Sequence, residues 1–197
     1  MPRIAVDAAA GLRCSRHMSI ASPQESSLLL VVPEAERAVR EHRAEFDLAA
    51  RVGVPAHITV AYPFKPVDIL AIKDIERLRE MFRTVNPFWV ELRTTGWFGD
   101  DVLFLAPDDS TPIIELTRRV EDAFPEYPIY GGQFEGIQPH LTIGHGCEAD
   151  TLRRIEGSVL RWLPVAHQAT AIQLWSGPAL ATQRPGWKLV EEFPLGG

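Results

Sequence analysis

Two short segments of this chain share one pattern, in which a histidine, an aliphatic residue, a threonine and a second aliphatic residue follow one another. They read His57-Ile58-Thr59-Val60 and His140-Leu141-Thr142-Ile143. Successive side chains of a β-strand point to opposite faces. Each segment is therefore predicted to be a strand that buries its aliphatic face and presents an imidazole and a hydroxyl on the other face. A fold that accepts both strands must keep two polar strand faces outside its core.

The two polar faces would form a chemically capable site if the fold brought them together. Two imidazoles can serve as general base and general acid, and two hydroxyls can donate hydrogen bonds to phosphoryl oxygens. A single histidine of this kind is most often structural, but the pair, with both threonines, favours catalysis. Catalytic roles are therefore predicted for four side chains: His57, His140, Thr59 and Thr142.

A metal site fits these residues less well. Neither motif has the His-x-His or carboxylate spacing that zinc and iron sites usually show. His145 with His140 and Glu148 is the one set that could be considered, and strand alternation is expected to turn His145 to the opposite face. We predict no metal and no cofactor.

Hydrophobic periodicity and turn residues predict an alternation of strands and helices. Strands are expected at 27–32, 57–64, 88–98, 102–106, 140–145, 167–176 and 186–193, and helices at 34–50, 68–84, 111–124 and 149–162. Runs of adjacent strands favour antiparallel pairing and hence an α+β fold. We predict two pseudo-symmetric lobes of mainly antiparallel sheet, with helices outside and a central cleft in which the two motifs face each other.

Length and charge limit the partners that such a protein can have. The chain has 197 residues, a net charge of −6 and a pI of about 5.5, which disfavours binding of long duplex nucleic acid. A small nucleotide or an RNA end remains compatible. The two cysteines form no disulfide framework, and no apolar run reaches the roughly 18 residues of a membrane span. We expect a cytoplasmic monomer, with residues 1–26 as a disordered tail and residues 27–197 as a single bilobal domain.

Aromatic residues near the motifs are candidates for holding a nucleobase. Tyr130 and Phe134 lie in an aperiodic stretch, 125–138, immediately before the second motif, and loops of this kind often carry binding residues. Tyr62 and Phe64 follow the first motif. These four are predicted to bind substrate; further candidates are Trp97, Phe98 and Trp175.

The paired motifs, in the contexts PAHITVAYPF and QPHLTIGHG, resemble those of the 2H phosphoesterase superfamily. That group includes 2′-5′ RNA ligase-like proteins and 2′,3′-cyclic nucleotide phosphodiesterases. The resemblance implies metal-independent attack on a cyclic or 2′-linked phosphodiester. One histidine would take a proton from water and the other would protonate the leaving oxygen, while both threonines bind non-bridging oxygens. The sequence leaves the two histidine roles open; His140 is taken as the base, and a bell-shaped rate profile around neutral pH is expected.

The resemblance leaves three functions to be compared. Hydrolysis of a 2′,3′-cyclic phosphate, on a nucleotide or an RNA end, or of a related small cyclic or 2′-5′ phosphodiester, is the leading hypothesis. Ligation of RNA through a 2′-5′ bond is the second, and the acidic charge argues against it. The third is a non-catalytic module that binds RNA or a nucleotide. Histidine and threonine at all four motif positions argue against that module, since binding alone does not require two imidazoles.

Overall fold

The computed structural model of the protein describes residues 24–128, 136 and 138–196, which contain eight strands and five α-helices. The strands are β1 Gln24–Val31, β2 His57–Phe64, β3 Phe88–Phe98, β4 Val102–Pro107, β5 Leu141–His145, β6 Val165–Ala169, β7 Ala171–Pro178 and β8 Lys188–Pro194. The helices are α1 Glu36–Phe46, α2 Leu48–Arg51, α3 Ile72–Arg83, α4 Thr111–Ala123 and α5 Ala149–Val159. In this part of the chain no helix has both the length and the apolar character needed to cross a membrane.

The described strands form two four-stranded sheets in which all neighbours are antiparallel. The strand order is β2-β1-β7-β8 in the first sheet and β5-β4-β3-β6 in the second. In each sheet the motif strand lies at the edge, beside the strand that precedes it. The first sheet is completed by β7 and β8, which come much later in the chain, and the second by β3 and β6. The prediction of an α+β fold with two pseudo-symmetric antiparallel lobes is confirmed.

The helices lie outside the sheets and are exchanged between the lobes. Helix α1 precedes β2 in the chain but packs against β5, and α4 precedes β5 but packs against β2. The two motif strands also contact each other directly. Each motif strand is thus supported by a helix from the other half, which fixes the position of one motif relative to the other.

Two apolar clusters occupy opposite faces of the first sheet. Leu28 and Leu30 of β1 belong to the main core, whereas Leu29 belongs to a smaller cluster with Val52, Val54 and Trp187. The smaller cluster lies on the cleft side, and Trp187 can pack there because β7 has no side chain at Gly177. A Cβ atom at Gly177 would lie only 2.4 Å from Cδ1 of Trp187. The cleft therefore has an apolar floor of its own.

Each motif strand contains a β-bulge at the last residue of its motif. Opposite consecutive residues of β1, strand β2 pairs Thr59 and then Ala61, so Val60 is the extra residue. Opposite consecutive residues of β4, strand β5 pairs Thr142 and then Gly144, so Ile143 is the extra residue. A bulge shifts the alternation of faces by one position. The side chains that follow each motif therefore change face at equivalent places.

The predicted helix at 34–50 is broken in two at Asp47. This residue has extended backbone angles (φ −126°, ψ 117°), and its side chain accepts a hydrogen bond from the N–H of Ala49 at the start of α2. An aspartate in this position satisfies a backbone donor that the new helix leaves without a partner. The break forms a corner, Phe46–Leu48, between α1 and α2, which we call the α1–α2 corner.

Two predicted strand boundaries are also wrong. The strand predicted at 167–176 is two strands, because the chain leaves the second sheet after Ala169 and joins the first sheet at Ala171. Strand β1 starts at Gln24, so the last three residues assigned to the tail, 24–26, are paired with β7. Their polar sequence concealed this pairing: Glu25 directs its carboxylate to the hydroxyl of Tyr62, not to solvent.

Candidate active site

The four motif side chains line one cavity of about 190 Å³ between the two motif strands, which we call the inner cavity. His57 and Thr59 enter it from β2, and His140 and Thr142 enter it from the start of β5. Its remaining wall belongs largely to the cleft-side apolar cluster, including Leu29, Val54, Leu180 and Trp187. The strand alternation that the sequence predicts for these motifs, with Ile58 and Val60 in the core, is present in the structure.

Both imidazoles are oriented by the same local hydrogen bond. Nδ1 of His57 lies 2.7 Å from the carbonyl oxygen of Pro55, and Nδ1 of His140 lies 2.8 Å from that of Gln138. A carbonyl oxygen can only accept, so each Nδ1 carries a proton and donates it. Each Nε2 is therefore the ring nitrogen available for proton transfer in the cavity.

A second cavity of about 570 Å³, which we call the outer cavity, shares His140 and Thr142 with the first. Phe98 and Val102 give it an apolar wall, and Asp47 and His145 also line it. The inner cavity alone is small for a ligand pocket, and the outer cavity has an ordinary volume for one. A ligand with a phosphate in the inner cavity has room for an apolar or aromatic group beside it.

The ring of His140 is held by two aromatic side chains. Phe98 approaches it edge-on, with ring centroids 4.9 Å apart, and Phe104 lies 5.3 Å away. Burial among these rings lowers the pKa of His140 below its ordinary value of 6.5, an effect opposed by the hydrogen bond to Gln138 and by the charge of Asp47. The charged form of His140 is thus disfavoured by burial and favoured by Gln138 and Asp47.

The environment of His57 disfavours its charged form more strongly. Burial in the cavity and the positive charge of Arg43 lower the pKa of His57 from 6.5 to about 4. The hydrogen bond to Pro55 and the charge of Asp47 act in the opposite direction, and His140 adds a smaller lowering. His57 is consequently neutral at physiological pH, with Nε2 as an acceptor.

The four predicted substrate-binding residues have different positions. Tyr62 lines the inner cavity, where its hydroxyl donates to Oε2 of Glu25 at 2.7 Å. Burial and this bond raise the pKa of Tyr62. Phe64 is only 2% exposed and packs in the core against Phe124, so it is not available to a ligand, and that prediction is wrong. A second register shift in β2, after Ala61, turns its side chain inward. Tyr130 and Phe134 lie outside the described residues.

The orientation predicted for His145 is also wrong. Strand alternation alone would point it away from His140, but the bulge at Ile143 returns it to the cleft, where it lines the outer cavity. Tyr62 occupies the equivalent position after the bulge at Val60. Among the described residues, no group of three or more histidine, cysteine, aspartate or glutamate side chains is arranged to hold a metal ion.

Sequence reasoning missed the α1–α2 corner as part of the site. Asp47 lines the outer cavity and Ala49 lines the inner one. The corner lies close to β5, because a Cβ atom at Gly144 would be only 2.9 Å from Cβ of Phe46. An aspartate followed by Leu-Ala-Ala is an N-cap pattern, and this signal within the predicted helix could have located the corner.

Two facing antiparallel lobes, with one H-x-T strand from each lining a common cavity, define the class of two-histidine phosphoesterase folds. The family model described as the 2′-5′ RNA ligase superfamily matches residues 31–178. The chain therefore belongs to the 2′-5′ RNA ligase superfamily, and the family resemblance of the two motifs is confirmed. A phosphoesterase-type activity is the function that this membership supports.

Relatives and solved structures agree with this assignment. Two relatives carry the name "Putative phosphoesterase": one from Bacillus pumilus (strain SAFR-032), 22% identical over 73% of this chain and 81% of its own, and one from Halalkalibacterium halodurans (BH1439), 25% identical over the same shares. E. coli LigT, solved in complex with 3′-AMP, is 15% identical with a TM-score of 0.54, covering 88% of this chain and 98% of LigT. This similarity to LigT is evidence of a shared fold.

Proposed function

We propose that the protein is a metal-independent phosphodiesterase that hydrolyses a 2′,3′-cyclic phosphate, on a nucleotide or at an RNA end, or a closely related small phosphodiester. The observation that carries the proposal is the inner cavity, which two threonines and two imidazoles line, each imidazole with an Nε2 atom that has no hydrogen-bond partner among the described residues. No other group of side chains is needed for in-line attack of water on phosphorus.

In the proposed mechanism the two histidines exchange protons with the attacking and leaving oxygens. Neutral His57 accepts a proton from water at Nε2 as the water oxygen forms a bond to phosphorus. The bond from phosphorus to one ribose oxygen breaks, and the His140 imidazolium gives its Nε2 proton to that oxygen. This reverses the sequence-based assignment of His140 as the base. The reason is the environment: the pKa of His57 is lowered to about 4, which leaves this ring neutral, and the charge of Asp47 favours protonated His140.

Thr59 and Thr142 are proposed to bind the non-bridging oxygens of the phosphate. Both hydroxyls line the cavity that holds the histidines. Negative charge on these oxygens has to be held while bonds to phosphorus form and break, and donors fixed in advance stabilise it without reorganisation. The apolar wall of the outer cavity, with Phe98 and Val102, is proposed to receive the nucleoside. E. coli LigT has also been solved with NADP+ and with ATP, which agrees with a nucleotide as ligand.

The rate is expected to have a bell-shaped pH dependence with its maximum on the acidic side of neutrality. Below about pH 4 the rate falls because His57 becomes charged and cannot accept a proton. Above the pKa of His140, which lies below 6.5, it falls because His140 loses the proton it must donate. The measurement is kcat between pH 3.5 and 9, about 5 points per unit. An optimum above pH 7 would contradict the proposed protonation states.

The function is tested with a panel of substrates in the presence of EDTA. The panel contains the four nucleoside 2′,3′-cyclic phosphates, an RNA with a 2′,3′-cyclic phosphate end, a 2′-5′-linked dinucleotide and an RNA with a 5′-hydroxyl. Turnover of a cyclic phosphate that survives chelation is the expected result. Formation of a 2′-5′ bond would support the ligase instead, and tight RNA binding without turnover would support the non-catalytic module.

A further inference from the structure

A buried ion pair, Arg43 with Asp47, lies at the α1–α2 corner, and Asp47 lines the outer cavity together with His140. Nε of Arg43 donates to Oδ2 of Asp47 at 2.9 Å, and Nη2 of Arg43 lies 2.8 Å from the same oxygen. Arg43 is only 2% exposed and Asp47 only 4%. Because removing two charges from water costs free energy comparable with their attraction, a pair this buried contributes little net stability. Its presence beside a site has to be explained by what it does to its neighbours.

The two side chains of the ion pair contact segments next to both motifs. Oδ1 of Asp47 accepts the N–H of Ala49 at 3.0 Å, which fixes the start of α2, and it lies 3.9 Å from Nε2 of His145. The N–H of Leu48 donates to the same His145 nitrogen at 3.4 Å. Nη2 of Arg43 reaches the carbonyl of Val54, at 3.5 Å, on the segment that leads into the first motif. The pair therefore connects the second motif strand to the approach of the first.

The charges of the pair also act on the two motif histidines. The charge of Asp47 raises the pKa of both His57 and His140, and Arg43 lowers that of His57. The charged groups that act on His57 are Arg43, Asp47 and His140, and the one that acts on His140 is Asp47. On His57 the two members of the pair oppose each other, whereas His140 is affected by the carboxylate alone. The net effect of the pair on the pKa of His57 therefore differs from its effect on the pKa of His140.

We propose that Arg43 and Asp47 are positioning residues of the two-histidine site. They hold the α1–α2 corner against both motifs. The Asp47 carboxylate favours the imidazolium form of His140, and Arg43 adds to the effect of burial, which keeps His57 neutral. The proposal rests on the proposed function, because it assigns the acid role to His140. It adds two residues that touch neither the phosphate nor the reacting atoms but contribute to the difference in protonation between the two histidines.

The test is Asp47→Asn, compared with Asp74→Asn as a matched control. Asp74 is also a buried carboxylate that pairs with a cation, Lys65 at 2.9 Å, and accepts a backbone N–H at a helix start, that of Ala71, but it lines neither cavity. Histidine titration is followed by NMR, and kcat is measured from pH 3.5 to 9. Asp47→Asn is expected to lower the pKa of both motif histidines and to move the alkaline limb of the rate profile to lower pH. Turnover at pH 7 should fall about tenfold for each pKa unit that His140 loses.

The control and a second variant keep the proposal open to refutation. Asp74→Asn is expected to lower the thermal midpoint and to leave the histidine titrations and the rate profile unchanged. If Asp47→Asn does not fold, Arg43→Met/Asp47→Asn removes both charges without leaving one unpaired. This double variant should lower the pKa of His140 and leave that of His57 nearly unchanged.

The titrations and the kinetics separate the two proposals. Histidine pKa values that match the wild type within 0.2 units, about the precision of such titrations, would show that the pair is purely structural. The NMR titration needs no substrate, so it gives this answer even if no phosphodiesterase activity is found. If the titrations are altered but the wild type shows no turnover, the effect of the ion pair on the histidine pKa values is supported and the proposed function is rejected.

Discussion

Replacing either His57 or His140 by alanine is expected to lower kcat for a 2′,3′-cyclic nucleotide by about 10²–10⁴-fold, the usual contribution of one general acid or base. Both rings line the inner cavity, and both keep Nε2 free by donating Nδ1–H to a backbone carbonyl. Without one ring, either the water or the leaving oxygen has no proton-transfer partner. The measurement is kcat at saturating substrate, with circular dichroism and a thermal melt to verify the fold.

His167→Ala is the control for this pair of variants. His167 is bonded to Oε2 of Glu34 at 2.7 Å and lines neither cavity, so its loss should change kcat less than threefold. An equally large loss in this variant would show that histidine removal acts through the fold. A His140→Ala enzyme with nearly full activity would exclude the two-histidine mechanism.

An activated leaving group should separate the roles of the two histidines. The p-nitrophenolate of a nucleoside p-nitrophenyl phosphate leaves without being protonated, so the general acid is not needed for it. His140→Ala should therefore recover much of its lost activity on this substrate, and His57→Ala should not. The opposite result would show that His140 is the general base, which is the assignment made from the sequence.

Thr59→Val and Thr142→Val are each expected to lower kcat by about 10²–10³-fold, as removal of a donor to a developing oxyanion does. Valine keeps the shape of threonine and removes only the hydroxyl. The loss should appear in kcat more than in KM, because these bonds strengthen as charge builds in the transition state. Steady-state kinetics on the substrate that the panel identifies is the measurement.

Two controls accompany the threonine variants. Thr59→Ser and Thr142→Ser keep the hydroxyl and should restore most of the activity. Thr117→Val removes a buried hydroxyl that has no hydrogen-bond partner among the described residues, so neither stability nor kcat should fall. If serine rescues nothing, the threonines act through packing and the proposed oxyanion role is wrong.

The faces of the motif strands could be predicted because alternation is a local property of a strand. Ile58 and Leu141 are in the core, and His57 and His140 line the cavity, as the pattern required. The prediction fails at His145, because the bulge at Ile143 shifts the phase. At Phe64 the two register shifts of β2 cancel, so strict alternation already places it on the core face with Ile58 and Val60, and the pattern did not support a substrate-binding role there. A bulge depends on the register with the neighbouring strand, and the sequence of the motif strand alone contains no signal for it.

The α1–α2 corner and the division between β6 and β7 were also missed. Asp47 lies in a stretch whose apolar spacing still fits one helix, and that spacing outweighed the N-cap pattern of Asp47 in the prediction, while contacts of α1 with β5 accompany the break. No typical turn residue flanks Thr170, yet the chain passes from the second sheet to the first at this point. The change of sheet is fixed by tertiary contacts that local propensity does not signal, whereas the corner at Asp47 has a local signal that is weaker than the apolar spacing around it.

The first sheet is built from strands that lie far apart in the chain, β1 and β2 with β7 and β8, and this has a consequence for how the protein is made. The first sheet needs β7 beside β1, so Glu25 meets Ser176, a partner 151 positions later in the chain. At an elongation rate of about 5–20 residues per second, β1 and β2 wait several seconds on the ribosome before that partner is synthesised. Until then the aliphatic faces of both strands have no sheet to join. The second sheet, β3 to β6, is continuous in the chain and can pair earlier, whereas the first sheet, and with it the cleft between the two motif strands, is completed late in biosynthesis.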